Sequence, residues 1–353
     1  MIKRRKTRQV MVGNIAIGGG APVAIQSMTK CDTSDVKKTV AEIRKLEAAG
    51  CEIVRVSVKD LEDARAIRAV KKRSRVPIVC DIHFDYRLAL AAIEAGVDKV
   101  RLNPGNIWKR CEIAQVVKAA RRAKIPIRVG VNSGSAGSSA PSSLVKAATG
   151  FIKILEELGF RDIIISLKAS DVVSTVEAYR KISDLCDYPL HLGVTAAGPF
   201  DSGIVKSSIG IGSLLLDGIG DTIRVSLTAD PVQEVIAAKR ILGALGLRNF
   251  GPDIISCPTC GRCQVDLATV VKKAEKAISA IRFPLSTKRH ISIAIMGCEV
   301  NGPGEAQDAD IGIAAGRGYG ALFVKGKIVR RVKEKDFVKE ILRQIKKLRV
   351  INY

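Results

Sequence analysis

The sequence predicts an α/β chain, with an N-terminal (β/α)8 barrel of the TIM type followed by a smaller α/β domain. Three observations predict it. Short apolar, β-branched runs alternate with amphipathic stretches eight times before position 246. The runs are apolar throughout, as burial on both faces of a parallel barrel requires. The alternation then stops at Leu247–Asp253, where Gly251-Pro252 reads as part of a linker, and a different order of elements follows. The expected division is therefore 1–246 for the barrel, 247–253 for the linker and 254–353 for the second domain. An open, doubly wound sheet is the competing architecture, but the eight repeats carry no glycine fingerprint.

The predicted barrel strands are Val23–Gln26, Ile53–Val58, Val76–Ile82, Lys99–Leu102, Ile125–Val131, Asp162–Leu167, Pro189–Val194 and Thr222–Leu227. The first helix, Asp35–Ala49, places Val36, Val40, Ile43 and Leu46 at three- and four-residue steps, with Ser34 as the expected cap and Gly50 as the terminator. The same periodicity predicts Leu61–Lys72, Arg87–Ala95, Glu112–Ala123, Ser143–Leu158, Val172–Leu185, Ile204–Leu216 and Val232–Leu245. Ser133–Ser143, rich in Gly, Ser and Ala, reads as a flexible loop or lid. In the second domain the expected strands are Ile254–Ser256, Ile291–Met296, Ile311–Ala315 and Ala321–Val324, and the expected helices Val265–Ile281 and Lys335–Leu348.

Composition narrows the class. No apolar run approaches a membrane span, and the basic N-terminus (Lys3, Arg4, Arg5, Lys6, Arg8) leads into no signal-peptide core, so a cytoplasmic protein without a membrane role is expected. Nine cysteines favour thiols and metal ligation over a disulfide framework. The net charge of +23 suits acidic partners, but one Trp and five Tyr are too few for a base-stacking surface, and no nucleic acid is expected.

Polar residues at the strand ends carry the functional argument, since the C-terminal face of such a barrel holds the active site. They are Gln26/Ser27, Arg55/Ser57, Asp81/His83, Arg101/Asn103, Arg128/Asn132, Ser166/Lys168, His191/Thr195 and Arg224/Ser226. Singly, each reads as well as an ordinary strand-end polar group. Arg55, Arg101, Arg128, Arg224 and Lys168 together need anionic charge to meet them, and arginine forks fit a diphosphate. Lys206-Ser207-Ser208-Ile209-Gly210 could add backbone amides at a helix start.

In the second domain, Cys257-Pro-Thr-Cys260 is followed by Cys263 and, some forty residues on, by Cys298. The spacing suits an iron–sulfur cluster, with a structural zinc completed by His290 or Cys263 as the alternative. Glu305 lies seven residues beyond Cys298.

These residues resemble the 4-hydroxy-3-methylbut-2-enyl diphosphate synthase family. The resemblance spans nearly the whole chain and rests on Ile25-Gln-Ser-Met28-Thr, Ile53-Val-Arg-Val-Ser57, Asp81-Ile-His83-Phe-Asp85, Arg101-Leu-Asn-Pro-Gly-Asn106, Gly130-Val-Asn132, Lys168-Ala-Ser-Asp171, Gly220-Asp-Thr-Ile-Arg224-Val-Ser226, Cys257-Pro-Thr-Cys260, Gly297-Cys298 and Asn301-Gly-Pro-Gly-Glu305. It implies reductive ring opening and dehydration of a cyclic diphosphate in isoprenoid biosynthesis. It implies a [4Fe–4S] cluster on Cys257, Cys260, Cys298 and Glu305, with Asn301 near the substrate. Diphosphate contacts are implied from Arg55, Arg101, Arg128, Asn132, Lys168, Arg224 and Ser226. Asn103, Thr195 and Lys206 are further candidates for substrate binding, and Asp81 and His83 for proton handling. Ferredoxin or flavodoxin is implied as electron donor, and a homodimer in which one chain's cluster domain caps its partner's barrel.

One position departs from the pattern. The family's Gly-Val-Thr-Glu-Ala-Gly reads Gly193-Val-Thr-Ala196-Ala-Gly198 here, and alanine cannot transfer a proton. The zinc-stabilised phosphate-binding barrel without redox chemistry stands as the alternative function.

Overall fold

A computed structural model describes residues 2–169, 171–195, 197–281 and 291–350. Ala196, the departure noted above, and His290, the alternative zinc ligand, lie outside the described residues. The chain divides into two compact units, Met1–Arg248 and Asn249–Tyr353.

The first unit opens with a feature that sequence periodicity missed, a two-stranded antiparallel hairpin of β1 (Val10–Val12) and β2 (Ile15–Ile17). Eight parallel strands follow: β3 (Ala24–Met28), β4 (Ile53–Val58), β5 (Ile78–Ile82), β6 (Lys99–Leu102), β7 (Ile127–Asn132), β8 (Ile163–Lys168), β9 (His191–Leu192) and β10 (Thr222–Ile223). Their ladder runs β8-β7-β6-β5-β4-β3-β10-β9, and a parallel bridge from Ile165 to Leu190 links its two ends into a ring. The last two strands are shorter than expected. A Cβ on Gly193 would stand 2.7 Å from Lys168 Nζ, so this residue leaves β9 with its bare backbone against that amine.

The helices are α1 (Val36–Ala49), α2 (Leu61–Arg73), α3 (Tyr86–Glu94), α4 (Arg110–Ala123), α5 (Ser133–Ala136), α6 (Pro141–Glu157), α7 (Val172–Leu185), α8 (Phe200–Leu216) and α9 (Pro231–Ala244). Gly50 ends α1 in the left-handed conformation at φ 100°. The cap of α1 is Asp35, whose carboxylate accepts from Lys38 N–H; the expected Ser34 instead donates its own N–H to Asp63. The Ser133–Ser143 stretch is not simply a loop, because its start forms the single turn α5 and Pro141 opens α6.

The hairpin explains the barrel's floor. Val10, Val12 and Ile17 pack with Ala24, Ile53, Val79 and Ile164, the lower inward residues of β3, β4, β5 and β8. This apolar plug closes the bottom, contributing on the order of 1.5–3 kcal/mol for each fully buried side chain. The basic N-terminus is spent holding it there. Arg4 bonds Asp221 at 3.0 Å, and Arg5 bonds the carbonyl of Ser183 at 2.9 Å. The polar interior can therefore open only at the strands' C-terminal ends.

The second unit is a five-stranded sheet in the order β11 (Asp253–Ser256), β12 (Ser292–Met296), β13 (Ile311–Gly316), β14 (Tyr319–Val324) and β15 (Lys327–Lys333). The first three strands are parallel, and β14 and β15 are antiparallel to their neighbours. The amphipathic helices α10 (Leu267–Ser279) and α12 (Phe337–Val350) share one core with the sheet, through Val270, Ala274, Ile341 and Ile345 against Ile293 and Ile313. A shorter helix, α11 (Gly302–Asp308), packs Ala306 in a separate cluster with Ala294, Met296 and Ala314. No described helix is long and apolar enough to cross a membrane.

Truncating the plug should destabilise the barrel without touching its mouth. Ile17→Ala is expected to cost about 2–5 kcal/mol, read as a lower urea midpoint with an unchanged slope. A loss below about 0.5 kcal/mol would show that the hairpin is not a structural floor.

Candidate active site

Parallel pairing places partnered residues on the same side of the sheet, and here the inward positions above the plug are polar. Register aligns Lys99 with Val79, Asp81 with Arg101, and Arg101 with Arg128. His191 aligns with Thr222 on the opposite wall. Gln26, Lys99, Arg101, Arg128, Lys168 and His191 are all buried. Arg55 and Arg224 keep slight exposure, each side chain at 12%.

Two carboxylates organise these cations. Asp81 receives Arg101 at 3.1 Å, lies 3.3 Å from His83 Nε2 and 3.9 Å from Arg55. Burial pushes its carboxyl up, but Arg55, the His83 ring, Arg101 and Arg128 outweigh this and hold it well below the usual carboxylate range. Asp81 is therefore ionised. Glu234, on α9 behind the strands, accepts from Ser27 Oγ and Leu227 N–H, each at 3.1 Å, and pairs with Arg224 at 3.5 Å.

The remaining positive charge is uncompensated. Arg128 is 1% exposed, and its Nε and Nη1 have no partner among the described residues. Burial, with Arg55 and Arg101 nearby, drives its guanidinium well below the usual range. The Lys168 amine is lowered strongly by burial and by Arg224, Arg55 and Arg128. Arg224 falls to about 10, chiefly through burial. Arg55, Arg101, Arg128, Lys168 and Arg224 thus face Asp81 and Glu234, and the imbalance calls for an anion. Arg101 is fixed by donating to the Gly130 carbonyl at 2.7 Å, and a Cβ on Gly130 would come 2.3 Å from Arg101 Nε.

Other expected residues fall in varied surroundings. Asn132 and Lys168 end the paired strands β7 and β8. Ser226, past β10, is partly exposed. Asn103 uses its Oδ1 on Gly105 N–H at 3.2 Å, a turn-forming contact. Thr195 donates its N–H to Ala169. Lys206 is exposed, and of the two readings of 206–210, phosphate-facing amides at a helix start or ordinary helix structure, the second holds, because α8 begins at Phe200 and those amides lie within the helix. Sequence reading did not single out Lys99 or Glu234. Lys99 was detectable: it stands two residues before Arg101 on one strand, hence on the same inward face.

In the second unit, Cys257 directly follows β11 and Cys298 lies two residues past β12. The register Ser256↔Ile295 brings both to one end of the sheet. Cys260 joins them through a turn in which Thr259 adopts φ 66°, a left-handed conformation uncommon for a β-branched residue. Cys257, Cys260, Cys298, Asn301 and Glu305 line a cavity of about 370 Å³ together with Arg262. Gly297 N–H points at Cys257 Sγ, 3.4 Å away. The backbone N–H groups of Asn301 and Val300 lower the Cys298 thiol, favouring thiolate. Cys263 donates to the Val265 carbonyl at 3.3 Å and is not part of the cavity wall. No three His, Cys, Asp or Glu side chains among the described residues converge tightly enough for a single metal ion. Three cysteines and a carboxylate around a cavity of this volume fit a polyatomic iron–sulfur group better than one tetrahedral ion.

Comparison with known proteins bears on the whole chain. The family model for the GcpE TIM-barrel domain matches residues 7–239, and that for the GcpE protein C-terminal domain matches 253–347. A protein of Thermodesulfovibrio yellowstonii named 4-hydroxy-3-methylbut-2-en-1-yl diphosphate synthase (flavodoxin) is 54% identical, across 98% of this chain and 100% of the relative. One of the same name from Geobacter sulfurreducens is 50% identical, across 98% of each. Among solved structures, Xanthomonas albilineans dihydropteroate synthase superposes with a TM-score of 0.51 over 67% of this chain and 98% of that one. At 12% identity it shows the barrel fold alone.

Arg128 sets a test in which affinity and stability move in opposite directions. Arg128→Met should weaken inorganic pyrophosphate binding roughly 10- to 100-fold, as expected for losing ~1.5–3 kcal/mol of charge-assisted hydrogen bonding. It should leave the urea midpoint unchanged or higher, because a buried unpaired cation is removed. A lower midpoint with unchanged affinity would make Arg128 a structural residue.

Proposed function

This chain belongs to the GcpE family, and from that premise we propose that it performs the reaction its relatives are named for, forming 4-hydroxy-3-methylbut-2-en-1-yl diphosphate. The reaction is the two-electron reductive ring opening and dehydration of 2-C-methyl-D-erythritol 2,4-cyclodiphosphate in isoprenoid biosynthesis. The observation that carries this reading is the buried Arg128, two of whose nitrogens have no partner among the described residues, set among cations that outnumber their carboxylates.

Arg55, Arg101, Arg128, Lys168 and Arg224 bind the diphosphate, assisted by Asn132, Ser226, Asn103 and Thr195. Arginine forks stabilise the diphosphate as charge develops on it when the ring opens. Asp81, held ionised, orients Arg55, Arg101 and His83 and is a poor acid. His83, 41% exposed and 3.3 Å from Asp81, is better placed to pass protons where the family's glutamate is replaced by Ala196. Cys257, Cys260, Cys298 and Glu305 would hold a [4Fe–4S] cluster, and Asn301 lines the same cavity. When bound, the cluster supplies electrons one at a time.

Flavodoxin, the donor in the relatives' names, is the proposed electron source, and an acidic donor suits the +23 charge. A homodimer in which the cluster domain of one chain covers the barrel of its partner is also proposed. Supporting it, Phe84 and Trp108, in the loops after β5 and β6, are 76% and 66% exposed. Such apolar surface at the mouth suits a cover that excludes water.

Anaerobically prepared protein supplied with reduced flavodoxin should convert the cyclodiphosphate. Cys298→Ser should lose both turnover and the visible iron–sulfur absorbance. Colourless, active protein, or product formation by the serine variant, would sink the reading. Ala196→Glu is expected to raise turnover at unchanged cluster content, and an unchanged rate would show that protons already arrive by another route.

A further inference from the structure

Below the arginines, but above the apolar plug, lies a polar layer that the proposed reaction leaves unused. Lys99 is fully buried, and its contact among the described residues is Gln26 Oε1 at 3.5 Å. Gln26 Nε2 and His191 Nε2 have no partner among the described residues, and His191 Nδ1 lies 3.3 Å from Thr222 Oγ1. If Nδ1 carries the ring proton and donates to Thr222, Nε2 is left as an acceptor. A neutral layer at this depth would normally have its donors and acceptors satisfied.

We infer that Lys99 is a positioning residue of the anion site: an uncharged amine in the empty barrel that takes a proton from solvent when a dianion binds above it. The inference rests on the barrel mouth being a diphosphate site, as proposed above. The charged and titratable groups of the barrel interior are Arg55 on β4, Asp81 on β5, Arg101 on β6, Arg128 on β7, Lys168 on β8, His191 on β9 and Arg224 just past β10, and of these Arg128, Arg55 and His191 interact with Lys99. Neither carboxylate is available to Lys99. Asp81 is taken up by Arg101, Arg55 and His83, and Glu234 by Ser27, Leu227 N–H, Lys30 and Arg224.

Burial, then Arg128 and Arg55, drives the Lys99 ammonium well below its usual range. His191 is likewise held neutral, by burial first and then by Arg128 and Lys168. A dianion on Arg55 and Arg128 cancels the two charges that repel a proton from Lys99. Gln26 Oε1, already 3.5 Å away, then offers an acceptor for the new ammonium. Charge thus arrives beneath the ligand together with it, and the empty barrel is spared one more buried cation.

Calorimetry of inorganic pyrophosphate binding to the full chain, in two buffers of different ionisation enthalpy, counts the protons taken up. Wild-type protein should take up about one proton more per site than Lys99→Met or Lys99→Gln, and its affinity should fall more steeply as pH rises. Equal proton counts in the wild type and a variant that binds would overturn the role of Lys99 alone. Wild-type uptake no greater than the ligand's own titration requires would overturn it without any variant. Failure of the wild type to bind pyrophosphate would overturn the anion site itself, and this inference with it.

Discussion

Uncompensated positive charge inside a closed barrel is the constraint on which this protein depends. A buried guanidinium without a partner is costly, and a chain selected for stability alone would replace it with a well-packed apolar residue. Arg128 persists with two nitrogens that have no partner among the described residues, near Arg55, Arg101 and Lys168. The surrounding structure must supply enough stability elsewhere to tolerate this, and it must keep water from entering by the wrong end.

The N-terminal hairpin and the paired carboxylates meet those demands. Val10, Val12 and Ile17 seal the floor, so the cations are approached from the mouth alone. Asp81 and Glu234 do not neutralise the interior; they fix where its charges point. Asp81 aims Arg101 and Arg55, and Glu234 ties Arg224 to the strand ends through Ser27 and Leu227. The second unit uses backbone in the same way. Parallel pairing of β11 and β12 brings Cys257 and Cys298 to one end of the sheet, and the amides after Cys298 favour its thiolate. Gly297 lets Cys263 pack closely against the backbone, since a Cβ there would stand 2.4 Å from its Sγ and force that thiol to move.

Much of this could be read from the residues beforehand, and the failures have identifiable causes. The barrel strands and helices announce themselves because a parallel barrel buries continuous β-branched runs and its helices bury one stripe. The hairpin went unread because three-residue strands carry too little periodicity. Strand β15, Lys-Ile-Val-Arg-Arg-Val-Lys, went unread because only Val332 in it is buried. Helix α11 is not among the expected elements, since Gly302-Pro-Gly gives no helical signal and tertiary packing of Ala306 holds it. The start of α8 was placed four residues late, because Pro199 caps it with no side-chain hydrogen bond. At the mouth, the arginines stood out by charge. Lys99 carried a legible signal in its spacing from Arg101, whereas the burial of Glu234 depends on Ser27 and Leu227, neighbours from other elements.

The central claim is that the barrel interior awaits a dianion, and denaturation measured with and without one tests it most directly. The urea midpoint of the full chain should rise with inorganic pyrophosphate, the gain in stability growing with the logarithm of its concentration above the dissociation constant. Chloride at equal ionic strength should not reproduce the rise, because screening cannot supply bidentate acceptors to Arg128. The same midpoint in pyrophosphate and in chloride would contradict the account.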